Sequence, residues 1–261
     1  MDCVRCHHAN ETRQRALTLF HEHYGQNPSP ALSRIHESLL FPVKSDESYI
    51  FFMKNLRRQP IWSWREFSSN IALSMNSLKV DHWRHLLDEY KKIETFSSND
   101  SENNWTTHSF LNQGDWVSST LDCKVTEILK RVDGLMDGCV FGNAFFSVLK
   151  PGASIEPHVG PTNIRLRTHL SMQTPPNQSH SVHCTLTVDG VTHEWKDSDW
   201  LIFDDSFTHS VHYGFDKHRY LSNQLNDRCV LILDLWHPDL TKEEIHCLKT
   251  IFPSWLRDVY W

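Results

Sequence analysis

Asn163 to Ser171 alternates between apolar and polar side chains, the two-residue period of a β-strand. Ile164, Leu166, Thr168 and Leu170 fall on one face, and Asn163, Arg165, Arg167, His169 and Ser171 fall on the other. An amphipathic strand commonly turns its polar face to water. Two Arg and a His on one short face suit equally well an interior lined for small carboxylates, because guanidinium presents a planar fork of donors. A chain containing such a strand needs a second layer on its apolar side.

The rest of the chain offers that layer. Residues 11 to about 96 read mostly as helix, most clearly over 81–96, where Trp83, Leu86, Leu87, Tyr90 and Ile93 recur at helical spacing. The polar run 97–104 reads as a surface loop and as the boundary between a helical region (1–104) and a second region (105–261). Beyond about residue 139 short strands follow one another over 139–150, 163–174, 181–188, 191–195, 200–204, 209–212 and 228–237. Asp189-Gly190 between two of them predicts a tight hairpin. Thr241 with Glu244 has the form of a capping box and predicts a last helix running toward Trp255. The expected fold is mainly β, an antiparallel sandwich or barrel with an N-terminal helical layer and a C-terminal helix.

Composition narrows the function. The 261 residues are 39% hydrophobic and 22% charged, enough for one sizeable core and unlike a disordered chain. A net charge of −6 argues against nucleic acid as a partner. No apolar run long enough to span a membrane and no apolar leader is visible, and the seven Cys form no regular framework, so a cytoplasmic location is expected. Cys3, Cys6 and His7 match a short metal or haem-attachment pattern, but a second Cys pair is missing.

Among eighteen His, any single one is far more often a surface residue than a ligand. His158, in His158-Val159-Gly160, and His209, after Asp204-Asp205-Ser206, stand on different strands and could share a divalent transition metal. His237, in Trp236-His237-Pro238, reads as structural.

In order along the chain, His158-Val159-Gly160-Pro161 through Arg165, Arg167 and His169, then Leu201 to Phe207 with His209, then Arg228 to Pro238, resemble the aspartyl/asparaginyl β-hydroxylase family of iron(II)- and 2-oxoglutarate-dependent oxygenases. The resemblance implies a double-stranded β-helix of the jelly-roll kind. It implies that His158 and His209 bind Fe(II), with Gly160 where other superfamily members place a carboxylate, and with water in the missing position. It carries Ser147, Arg167, His169 and Arg228 into the 2-oxoglutarate pocket, Arg228 facing the distal carboxylate. Arg165 is then the better candidate for a substrate carboxylate, with Arg167 the alternative. Asp204 or Asp205 would orient a ligand imidazole.

The implied reaction consumes 2-oxoglutarate and O2 and hydroxylates the β-carbon of an aspartyl or asparaginyl residue, in a peptide, protein or small acidic substrate, with succinate and CO2 as co-products. The rival reading is a catalytically silent relative that binds acidic peptides. One departure concerns the eighteen residues 210–227, read as an insertion near the metal end, which makes Arg219 a competitor of Arg228.

Overall fold

The larger sheet is built around its most apolar segment. Arg228–Trp236 is buried at all nine positions, and a strand buried on both faces belongs in a sheet centre. The computed structural model describes residues 9–41, 49–175 and 181–257; Cys3, Cys6 and His7 lie outside them.

Numbered in chain order, the helices are α1 (Ala9–Tyr24), α2 (Ser33–Leu40), α3 (Ser69–Ser77), α4 (Trp83–Lys92), α5 (Lys124–Leu129) and α6 (Lys242–Ile251). The strands are β1 (Ile61–Trp62), β2 (Ser97–Ser98), β3 (Trp105–Asn112), β4 (Asp115–Trp116), β5 (Ala144–Leu149), β6 (Ser154–His158), β7 (Arg165–Gln173), β8 (Val182–Val188), β9 (Val191–Glu194), β10 (Trp200–Phe203), β11 (His209–Phe215) and β12 (Arg228–Trp236). One sheet has the order β1-β10-β7-β12-β5-β3-β2, with β4 on β3; the other has the order β6-β11-β8-β9. Every pairing between named strands is antiparallel. Two facing antiparallel sheets with these crossovers form the double-stranded β-helix.

β7 sorts its faces as the alternation predicts, but the polar face points inward. Leu166 and Leu170 pack outward with Leu231, Leu233 and Leu235 of β12 against Met75, Leu78 and Leu86 of the helical layer. Between the sheets, Val230 and Ile232 meet Leu186, Val188 and Val211. A third cluster joins α1, α2 and α6 to Phe51, Phe141 and Trp236. Truncating a fully buried member such as Leu248 to Ala should cost about 2–5 kcal/mol.

Several local expectations meet their structure directly. Thr241 Oγ1 accepts from the Glu244 amide at 3.1 Å and Glu244 Oε2 accepts from the Thr241 amide at 2.9 Å, closing the capping box of α6. Asp189 and Gly190 join β8 to β9 with φ of 49° and 76°, the left-handed pair that a two-residue hairpin turn needs. The helix expected over 81–96 ends at Lys92 and is preceded by a π-helical turn, Leu78–His82. Trp83 Nε1 donates to the Ser171 carbonyl at 2.7 Å, tying that helix to β7.

Others differ. The region expected to be helical contributes β1, which pairs with β10, and β2 forms inside the polar run as a partner of β3. β6 falls outside the strand ranges read from the sequence, although His158 is expected on a strand, because Glu156, Pro157 and His158 show no alternation. It is a sheet edge, where a Pro is tolerated. Residues 210–215 complete β11 instead of forming an insertion, and at about 3.3 Å per residue they carry the chain well away from His209. The connection that follows therefore lies at the opposite end of the barrel from His209. Arg219 there is exposed and donates to Ser181 Oγ, so of these two Arg it is Arg228 that occupies the interior.

Candidate active site

His158 ends β6 and His209 begins β11, and the two residues pair across the sheet edge. Their ring centroids lie 4.1 Å apart. His158 Nδ1 is 2.8 Å from the Glu156 carbonyl and His209 Nδ1 is 2.9 Å from the Phe207 carbonyl. A carbonyl only accepts, so each Nδ1 carries the proton and each Nε2 keeps its lone pair. Burial, and then the neighbouring His158, push His209 down to about 4; desolvation of its ring also lowers His158, although the residue as a whole is exposed at the sheet edge. Both rings are therefore neutral at physiological pH, the form that ligates metals.

Gly160 lies two residues beyond His158, where a carboxylate ligand would complete a facial triad. A Cβ built there would meet Asp205 Oδ2 at 2.4 Å, so the space is already taken by the Asp205 carboxylate. Among the described residues no group of three or more His, Cys, Asp or Glu is arranged to hold a metal ion.

Asp205 is held by the polar face of β7. Arg165 Nη2 pairs with its Oδ2 at 2.5 Å, and Arg167 Nη1 lies 3.6 Å away. Asp234 of β12 closes the network: its Oδ2 is 3.1 Å from Arg165 Nη1 and its Oδ1 is 2.9 Å from Arg167 Nε. Burial opposes ionisation of Asp205, but the two guanidinium groups outweigh it and hold the carboxyl below its usual range. Arg165 is the residue expected to face a substrate carboxylate. At 1% exposure, with its donors spent on Asp205, Asp234 and the Phe141 carbonyl, it has no free edge for a substrate. Arg167, on the same face, retains the more accessible guanidinium.

Further along the inner face stand His169, Ser147 and Arg228. Arg228 is 1% exposed, yet among the described residues it forms no ion pair with a carboxylate. Its Nη1 donates to the Ser147 carbonyl at 3.2 Å and reaches Ser147 Oγ at 3.4 Å, its guanidinium carbon sits 5.1 Å from the centre of a Trp195 ring, and its Nε has no partner. A buried cation without an anion is costly unless a ligand supplies one. His169 Nδ1 accepts from Trp195 Nε1 at 3.3 Å and its Nε2 is buried without a partner. Burial, Arg228, Arg167 and His209, in that order, push its pKa well below the usual value, which places the imidazole among all three. Trp195 and Ser171, whose buried hydroxyl is also unpartnered, were not expected in the site. Ser171 was visible in the alternation of β7, whereas Trp195 lies beyond the end of β9 and offered no local signal.

His237 is structural: Nε2 meets the Arg57 carbonyl, Nδ1 accepts from the Asp239 amide, and the ring packs edge-on against Trp62. No helix among the described residues is long and apolar enough to cross a membrane.

Residues 80–238 match the family model for aspartyl/asparaginyl beta-hydroxylase. The chain is 29% identical to aspartate beta-hydroxylase domain-containing protein 2 of Homo sapiens over 96% of its length and 69% of that protein's. It is 29% identical to the aspartyl/asparaginyl beta-hydroxylase of Mus musculus over 77% of its length and 26% of that protein's. Among solved structures, a Pseudomonas putida prolyl-4-hydroxylase aligns over 64% of this chain and 98% of its own with 12% identity and a TM-score of 0.36, a likeness too distant to argue from. With a family match covering more than half of its residues, this chain belongs to the aspartyl/asparaginyl β-hydroxylase family.

Proposed function

We propose that the protein is an iron(II)- and 2-oxoglutarate-dependent dioxygenase that hydroxylates the β-carbon of an aspartyl or asparaginyl residue. The observation that carries the reading is Arg228, a fully buried guanidinium with an unpartnered Nε and, among the described residues, no ion pair to a carboxylate, in the same interior as the His pair. That arrangement fits a dicarboxylate with one end on Arg228 and the other toward His158 and His209. The two free imidazole Nε2 atoms fit Fe(II), which tolerates a mixed shell of nitrogen and oxygen ligands.

When bound, iron and 2-oxoglutarate supply the oxidative chemistry: O2 contributes one oxygen atom to the product hydroxyl and one to succinate, and CO2 leaves. The residues of this chain do the rest. His158 and His209 present neutral Nε2 atoms whose orientation the carbonyls of Glu156 and Phe207 hold. Ser147 and His169 offer polar atoms beside Arg228. Arg167, kept charged because Asp234 and Asp205 outweigh its burial, offers its partly accessible edge to a substrate carboxylate. The Arg165–Asp205–Asp234 network keeps these groups in register.

Anaerobic addition of Fe(II) and 2-oxoglutarate to the apoprotein should give a weak visible charge-transfer band, and O2 with an acidic peptide should then give succinate and a product heavier by one oxygen. His158→Ala should lose the band and the succinate. Persistence of both in that variant would refute the assignment.

A further inference from the structure

Residues 49–62 lie across the loop that leads into His209. Tyr49 Oη donates to the Ser206 carbonyl at 2.7 Å, and the Asp204 amide donates to the Pro60 carbonyl at 3.1 Å. The same segment presents two adjacent Arg with different fates. Arg57 is spent on Glu66 and Asp239, at 2.8 and 3.1 Å. Arg58 is exposed, yet its guanidinium carbon lies 4.5 Å from the centre of the Phe207 ring and 5.0 Å from that of Phe52. Among the described residues it makes no hydrogen bond and no ion pair. Asp204 is close enough to feel its charge without pairing.

Two aromatic rings thus hold a long side chain that would otherwise lose much rotamer freedom on binding an anion. A guanidinium stacked on rings keeps its in-plane donors available, so stacking and carboxylate binding are compatible. Its place relative to the chemistry follows from Phe207. The ring of that residue supports Arg58, while its backbone carbonyl holds His209 Nδ1. Phe207 therefore links Arg58 to His209, and Arg58 stands exposed beside the loop that carries this ligand candidate.

We propose that Arg58, clamped between Phe52 and Phe207, is a rim subsite that selects peptides with a second carboxylate near the residue to be hydroxylated. This rests on the oxygenase reading for its context, but the binding preference can be measured without turnover. A ligand that reaches both the rim and the interior must be extended, which favours a peptide segment over a free amino acid. Arg58 is here a specificity-determining residue and takes no part in oxidation.

The test uses the full chain and fluorescein-labelled, alanine-rich nonapeptides with one central Asp and a second Asp, Asn or Lys at each flanking position in turn. Fluorescence anisotropy gives Kd, and succinate formation gives kcat and KM. The wild type should favour an Asp flank over an Asn flank by about tenfold at the preferred position, as expected for one charge-assisted hydrogen bond. Arg58→Lys should retain most of that preference, Arg57→Ala should leave it unchanged, and Arg58→Glu should reverse it toward Lys flanks, with the change in KM and not in kcat. Absence of any flank preference in the wild type, or its survival in Arg58→Glu, overturns the subsite. If no peptide yields succinate while the preference and its reversal persist in binding, the oxygenase reading fails and the subsite stands.

Discussion

Gly160 and Asp205 occupy each other's space. The Gly160 amide donates to the Asp205 carbonyl at 2.6 Å, and a side chain at 160 would run into the Asp205 carboxylate. The lack of a carboxylate at position 160 is therefore built into the packing: the carboxylate that fills this space comes from the loop after β10 and is committed to Arg165 and Arg167.

Gly160→Asp should accordingly fail to create a three-ligand site. Even Gly160→Ala inserts a methyl group where Asp205 stands, and overpacking of that kind costs about 1–3 kcal/mol. Both variants should lower Tm and weaken metal binding in a calorimetric titration. A Gly160→Asp protein that gains metal affinity with an unchanged Tm would show that Asp205 can move aside.

Asp205→Asn removes a charge from a network in which Arg165 is 1% exposed. Breaking one partner of a buried ion pair costs about 3–5 kcal/mol, because the other charge stays buried. Urea unfolding should show a loss of this size. Asp234→Asn should behave alike, and the double variant should lose less than the sum, since both carboxylates serve the same two guanidinium groups.

Arg228→Met should leave the apoprotein as stable as the wild type or more so, since it deletes a buried cation without a carboxylate partner. The same change should abolish stabilisation by 2-oxoglutarate. At about a hundredfold excess over Kd that stabilisation is worth about 2.7 kcal/mol in the wild type, read as a rise in Tm. An equal rise in the variant would remove Arg228 from the co-substrate site.

Asp204 contributes in the opposite direction from most carboxylates. Burial, and after it the charge of Asp205, outweigh the hydrogen bond from the Ser206 amide and raise its pKa to about 6; Oδ2 has no partner. The folded state then binds the proton more tightly than the unfolded chain. Its contribution is present below about pH 4 and is lost as pH rises through 6. Asp204→Asn, which keeps the acceptor for the Ser206 amide, should stabilise the protein at pH 7 by up to ~3 kcal/mol and have little effect at pH 4. A stability difference that does not vary between those pH values would contradict the burial argument.

Much of the fold was legible because its signals are local. The alternation of β7, the apolar run of β12, the Asp189-Gly190 turn and the capping box of α6 each depend on residues a few positions apart. The edge strand β6 and the two-residue strands β1, β2 and β4 were not legible: their conformation is imposed by a partner strand, and their own residues lack a period.

The sequence by itself determined that Arg165, Arg167, His169 and Ser171 share one face of a strand, since the geometry of a strand allows nothing else. The tertiary structure alone decided what that face meets. Asp205 arrives from 40 residues away and Asp234 from 69, and together they consume Arg165 while leaving Arg167 an accessible edge. Arg228 forms no ion pair among the described residues, and its Nε remains without a partner. Which of three chemically similar cations is structural depends on where acidic side chains land after the sheets close. Periodicity in one segment cannot encode that, because it is a property of pairs far apart in the chain.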